Sequence, residues 1–193
     1  MSTADDDLAL HVIYEALLKR WPETRLEPSL DRIAALCDAL GSPELTYPVV
    51  HIAGTNGKTT TTELTASMIS AAGISATACG NLGTTVIESV WSDKSYEVLV
   101  LELSSFQIHW MQDPEFEAIA ILNIADDHTD WHGSFEAYTA AKVKLLSFTD
   151  TGIINGQDQH LVSSVSNWSG RKIYFGLDTP AHGQLGLVEN LLV

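Results

Sequence analysis

Gly54-Thr55-Asn56-Gly57-Lys58-Thr59-Thr60 fixes the organisation of the chain. It follows the apolar run Pro48-Val49-Val50-His51-Ile52-Ala53 and precedes a segment patterned as a helix. A strand, a glycine-rich loop and a helix opening on Lys-Thr is the arrangement that holds nucleotide phosphates. Loop and helix N–H groups point at the anion, the lysine adds a mobile charge, and a threonine hydroxyl can ligate magnesium. The common phosphate loop has four residues between its glycines. Here Thr55 and Asn56 alone separate Gly54 from Gly57, and Ile52 stands where the first glycine would be. An ordinary glycine turn is the alternative. Gly-Lys-Thr-Thr heading a long helix favours a phosphate site built from Gly54, Thr55, Asn56, Gly57, Lys58, Thr59 and Thr60.

Composition sets outer bounds. A chain of 193 residues with 45% hydrophobic content suits a soluble globular domain with a full core. No apolar run has the length of a membrane span, and Met1-Ser2-Thr3-Ala4-Asp5-Asp6-Asp7 is acidic where a signal peptide is basic, so a cytoplasmic location is expected. Cys37 and Cys79 are too few and too far apart for a disulfide framework or zinc site, and both read as small buried apolar residues. The net charge of −15 argues against nucleic-acid binding. Any anion site must be local, made from loop N–H groups, Lys58 and metal.

Outward from the loop, residues 1–47 read as a helical arm. Leu8, Val12, Ile13, Ala16 and Leu17 recur at helical spacing up to Trp21-Pro22. Ile33, Leu36, Cys37 and Leu40 share a face of a second helix that starts near Pro28-Ser29 and ends at Gly41. Residues 48–193 alternate apolar strands with helices. Strands are expected at 49–53, 74–79, 96–103, 118–124, 152–155 and 172–175, and helices at 58–72, up to Val90, and 134–148, with a short helical or loop segment at 161–165. Leu191-Leu192-Val193 reads as an unfinished strand. Continuously apolar strands mark a parallel sheet buried on both faces, hence an α/β fold with flanking helices.

Ligands of such sheets bind beyond the carboxyl ends of the strands. The second strand delivers Gly80-Asn81-Leu82-Gly83, whose glycines allow close backbone approach to a ligand; Asn81 reads equally as a turn former. The third carries Glu102 in an apolar run, either paired with a lysine of a covering helix or, preferred here, a magnesium ligand. The fourth gives Asn123-Ile124-Ala125-Asp126-Asp127-His128. Asp126 and Asp127 can be turn and cap residues, and His128 is a structural histidine or a metal ligand. On the later helix Lys142 shares a face with Phe135, Tyr138, Leu145 and Leu146. It either snorkels along its aliphatic stem or points into the site with a depressed pKa or a chemical modification.

Together these residues resemble the Mur ligase family, the ATP-dependent amide ligases of peptidoglycan and folate metabolism. The seven-residue loop looks like that family's own shorter phosphate loop. Gly80-Asn81-Leu82-Gly83-Thr84, Leu101-Glu102-Leu103-Ser104-Ser105-Phe106-Gln107, residues 123–134 and Tyr138-Thr139-Ala140-Ala141-Lys142 are similar to the branch that adds D-glutamate to a muramyl peptide. Leu30-Asp31-Arg32-Ile33-Ala34-Ala35-Leu36, Leu40-Gly41-Ser42-Pro43 and residues 47–54 look like the start of a folylpolyglutamate or dihydrofolate synthase, without the Ser-Pro-His-Leu segment of those enzymes. The resemblance implies a P-loop NTPase-like central domain. Lys58 and the loop amides would hold the phosphates of ATP, Thr59 and Glu102 one Mg2+, and His128 a second. Lys142 would be carbamylated, and Asn81 and Ser104 would face the acid substrate. Lys58, His128 and Lys142 would be the catalytic set, with ATP, a small carboxylate and an amino acid as partners. The family's uridine-nucleotide domain and C-terminal lid have no counterpart in these residues. Complete turnover by this chain alone is therefore not expected.

Overall fold

The computed structural model describes residues 47–193 apart from Trp110, Gln112, Asp113 and His128. The expected helical arm lies outside the described residues except for Tyr47, and so do Cys37 and His128.

Six strands, β1 (Val49–Ala53), β2 (Ala76–Gly80), β3 (Val98–Glu102), β4 (Ala118–Ile121), β5 (Thr151–Asn155) and β6 (Arg171–Phe175), form one sheet in the order β2-β3-β1-β4-β5-β6. Every pairing is parallel. Among the described residues the α-helices are α1 (Lys58–Ala71), α2 (Val86–Val90), α3 (Ser105–His109), α4 (Thr129–His132), α5 (Phe135–Val143) and α6 (Gln159–Ser164). The α/β expectation therefore holds. Among the described residues no helix is long and apolar enough to cross a membrane.

Period-two alternation divides the core into two layers. On one face Val49, Ala53, Leu99, Leu101, Ile119 and Ile121 pack with Tyr138 of α5 and with Leu145 and Leu146. On the other Ile52, Val100 and Ala120 meet Ala66 of α1. Thr62 and Ala66 are the buried residues of α1, small enough to bring its axis close to the sheet, while Leu64 and Met68 face outward. Cys79 is fully buried, as expected of a small apolar residue, and burial pushes its thiol pKa up.

Several boundaries differ from the sequence reading. Strand β2 starts at Ala76 because the end of α1 uses the preceding residues: Gly73 N–H donates to Ser70 and Ile74 N–H to Ile69, a Schellman closure. Tyr96 precedes β3, since the Glu97 and Val98 amides turn to the Ser75 carbonyl. Strand β4 stops at Ile121, and the chain beyond it leaves the sheet to hold the phosphate loop. The 134–148 helix divides into α5 and a tighter 3-10 turn, Lys144–Phe148. Helices α3 and α4 are additional, too short to leave a periodic signal. Leu191–Leu192 is no unfinished member of the main sheet. It closes a two-residue antiparallel hairpin with Leu187–Val188.

Candidate functional site

Strand β1 lies between β3 and β4, and the chain leaves it first towards β3 and β2 and later returns as β4. That reversal is where open parallel sheets bind ligands. Ile52 is in register with Glu102, and Ala53 with Ile121, so the β1–α1 loop emerges between the ends of β3 and β4.

The loop is held from several sides. Gly54 (φ 147°) lies so close to β4 that a Cβ there would sit 3.1 Å from the Leu122 Cβ. Lys142 Nζ donates to the Gly54 carbonyl at 3.0 Å, and Lys58 Nζ to the Thr55 carbonyl at 3.0 Å. The Thr55 hydroxyl lies 3.1 Å from the Tyr138 hydroxyl and accepts the Ala125 N–H at 3.0 Å. The Asn123 Oδ1 accepts the Thr55 and Asn56 amides at 3.1 and 2.8 Å, and its Nδ2 donates to the Asn56 carbonyl at 2.9 Å. Gly57 (φ 81°) then starts α1 with no side-chain cap, so the first N–H groups of that helix have no partner within it.

Thr59 donates its hydroxyl to Glu102 Oε2 at 2.7 Å. Glu102 is 4% exposed, and a hydroxyl of α1, rather than a lysine, meets it. Lys142 does not snorkel: it is 2% exposed, with Nζ 4.6 Å from the Tyr138 ring centre. Loss of hydration, then repulsion from Lys58, lowers its pKa to about 8, against a smaller opposing pull from Asp127. Beneath the loop His51 is fully buried and stacked on Phe116, with no hydrogen-bond partner for either ring nitrogen among the described residues. Burial, then the charge of Lys142, lowers its pKa to about 3.

Thr55, Asn56, Lys58, Thr59, Glu102 and Lys142 thus come together. The Asn81 amide donates to the Glu102 carbonyl at 2.7 Å. The close approach at Gly80 is made to protein, not left for a ligand: a Cβ there would lie 2.3 Å from the Glu102 carbonyl oxygen. The Ser104 hydroxyl is engaged with Gln107 in a capping pair, donating to Oε1 and accepting the Gln107 N–H. That Ser-x-x-Gln spacing is the signal by which α3 could have been found. Asn123 and Tyr138 were not singled out as site residues; only their places at the end of β4 and on the Lys142 face pointed to them. Among the described residues no group of three or more His, Cys, Asp or Glu gathers as a metal cluster.

Residues 52–190 match the model of the Mur ligase middle domain. The chain belongs to the Mur ligase family. Similar Mur ligases include the UDP-N-acetylmuramoylalanine–D-glutamate ligase of Streptomyces avermitilis, 42% identical over 151 residues, and that of Thermobifida fusca, 43% identical over 147. The alignments take in 76% and 74% of this chain, which spans about a third (32%) of the length of each relative. In fold, this Mur ligase chain resembles Thermotoga maritima MurF in complex with ADP (TM-score 0.61, 22% identity, 80% of this chain and 38% of that one). It also resembles Mycobacterium tuberculosis folylpolyglutamate synthase complexed with ADP (TM-score 0.64, 19% identity, 94% and 52%).

Proposed function

We propose that this chain holds Mg-ATP at the 54–60 loop and is the ATP-using core of an acid–amino-acid ligase, of the type that adds D-glutamate to a muramyl peptide. The observation that carries the reading is the open N-terminus of α1, flanked by Lys58 and by the Thr59–Glu102 pair. Helix N–H groups and Lys58 supply the positive field that a chain of net charge −15 otherwise lacks. The Thr59 hydroxyl and Glu102 carboxylate are hard oxygen donors of the kind that hold magnesium beside phosphates, where the ion keeps most of its waters. Bound there, Mg2+ would neutralise charge on the transferring phosphoryl group. His128 would serve a second ion.

The reaction joins a substrate carboxylate oxygen to the γ-phosphorus of ATP with release of ADP. An amine then attacks the acyl carbon, phosphate leaves, and the amide forms after loss of a proton. In this chain the work is positioning. Lys58 leaves the Thr55 carbonyl for a phosphate oxygen, and the Lys142 amine, with a pKa of about 8, is neutral in about a tenth of molecules at pH 7. A neutral amine is the form that adds carbon dioxide, which supports carbamylation of Lys142. Asn81 and Ser104 would meet the acid substrate, Ser104 by exchanging its bond to Gln107.

Two experiments test the proposal. Mg-ATP titrated into wild type should bind at least tenfold tighter than into Lys58→Ala; equal affinity removes the loop assignment. Phosphate release should require UDP-N-acetylmuramoyl-L-alanine and D-glutamate. Release that instead requires dihydropteroate or folate with L-glutamate assigns the folate branch, towards which the folylpolyglutamate synthase fold points. Binding without release under either condition defines a nucleotide-binding module.

A further inference from the structure

We infer that Asn123 is a positioning residue of the nucleotide site: its carboxamide fixes the first half of the phosphate loop so that only the second half receives phosphate. Oδ1 takes two consecutive amides, Thr55 N at 3.1 Å and Asn56 N at 2.8 Å. Nδ2 returns to the Asn56 carbonyl at 2.9 Å, so both backbone groups of Asn56 pair with one side chain. The Asn123 carbonyl also accepts the Thr55 amide at 3.0 Å. Asn123 itself is anchored on both sides: Asn155 Nδ2 donates to the Leu122 carbonyl and the Asp158 carboxylate accepts the Ile124 N–H, each at 2.9 Å.

A glycine-rich loop has many conformations when free, and a ligand that must order it loses affinity in doing so. The carboxamide removes that cost in advance. It also divides the loop chemically. The Thr55 and Asn56 amides are satisfied by protein, whereas the amides from Gly57 onward stand at an uncapped helix N-terminus. An asparagine suits the task because it both accepts and donates; an aspartate keeps the acceptor, loses the donor and sets a negative charge beside the phosphates.

The inference rests on the nucleotide assignment above, and the test separates the two. Mg-ADP is titrated into the full chain, wild type and variants, with Tm and amide hydrogen exchange measured alongside. Asn123→Ala should bind about tenfold more weakly and exchange its Thr55 and Asn56 amides faster. Asn123→Asp should bind more weakly than Asn123→Ala while protecting the Thr55 and Asn56 amides better, and it serves as the test variant if the alanine form does not fold. Asn155→Ala, which loosens the same segment from outside the loop, should stay within about twofold of wild type. If Asn123→Ala binds like wild type, or Asn155→Ala loses as much affinity at equal loss of Tm, Asn123 is structural only and the inference falls. If wild type itself binds no Mg-ADP, the nucleotide assignment falls and takes the inference with it.

Discussion

On the face of the sheet covered by α1, the buried carboxylate of Glu102 accepts the Thr59 hydroxyl at 2.7 Å. On the face covered by α5, Lys142 reaches a backbone carbonyl, and His51 has no partner for either nitrogen among the described residues. The acid has been given a partner from its covering helix. The bases sit where ionisation is penalised, so both pKa values are lowered. Stability should therefore vary with pH through His51 and Lys142 on the α5 face, and magnesium-dependent chemistry should depend on the α1 face.

The largest effect expected is at His51. Its folded pKa is about 3 against 6.5 unfolded, so below pH 6.5 the unfolded chain binds the extra proton and stability falls as pH falls. His51→Leu should remove this dependence. In denaturant melts the variant should gain on wild type by about 1.4 kcal/mol per pH unit below 6.5. Parallel wild-type and variant profiles would show that the imidazole finds a partner.

Lys142 comes next, at the other end of the scale. Its amine titrates near 8 when folded and 10.5 when unfolded, so stability should rise with pH across that window, by about 3 kcal/mol in all. Lys142→Met should flatten the alkaline limb, hold its Tm at pH 7, and abolish any bicarbonate-dependent phosphate release that the wild-type chain supports. Retained bicarbonate-dependent release would remove the carbamylation proposal.

Glu102 offers the sharpest contrast with these bases. Glu102→Ala removes the partner of the Thr59 hydroxyl and opens a void beside α1, and should cost about 2 kcal/mol. Glu102→Gln, which keeps an acceptor for Thr59, should cost under about 1 kcal/mol while weakening Mg-ATP more than magnesium-free ATP. Equal loss with and without magnesium would place the ion elsewhere.

Much of this was legible in the chain. The apolar runs at 49–53 and 96–103 announced buried parallel strands, and Gly-Lys-Thr-Thr announced the loop and α1. Lys142 stood out because a lysine amid Phe135, Tyr138 and Leu145 breaks the helix pattern, and a broken pattern is visible in one dimension. Asn123 breaks none: an asparagine after a strand is an ordinary turn residue, and its bonds reach back 67 residues to Asn56. Ser104 is the converse case: its local bond to Gln107 is written in the Ser-x-x-Gln spacing, but its place at a strand end drew the reading towards substrate instead. The unpartnered nitrogens of His51 depend on what surrounds the ring, which no local pattern records.

The central claim is that phosphate is held by the second half of the loop while Asn123 keeps the first. Amide chemical-shift mapping of the 15N-labelled chain during a Mg-ADP titration tests it directly. The account predicts the largest saturable shifts at Gly57, Lys58, Thr59 and Thr60, with Thr55 and Asn56 still protected from exchange in the complex. Saturable shifts centred elsewhere, or loss of protection at Thr55 and Asn56 on binding, would contradict it.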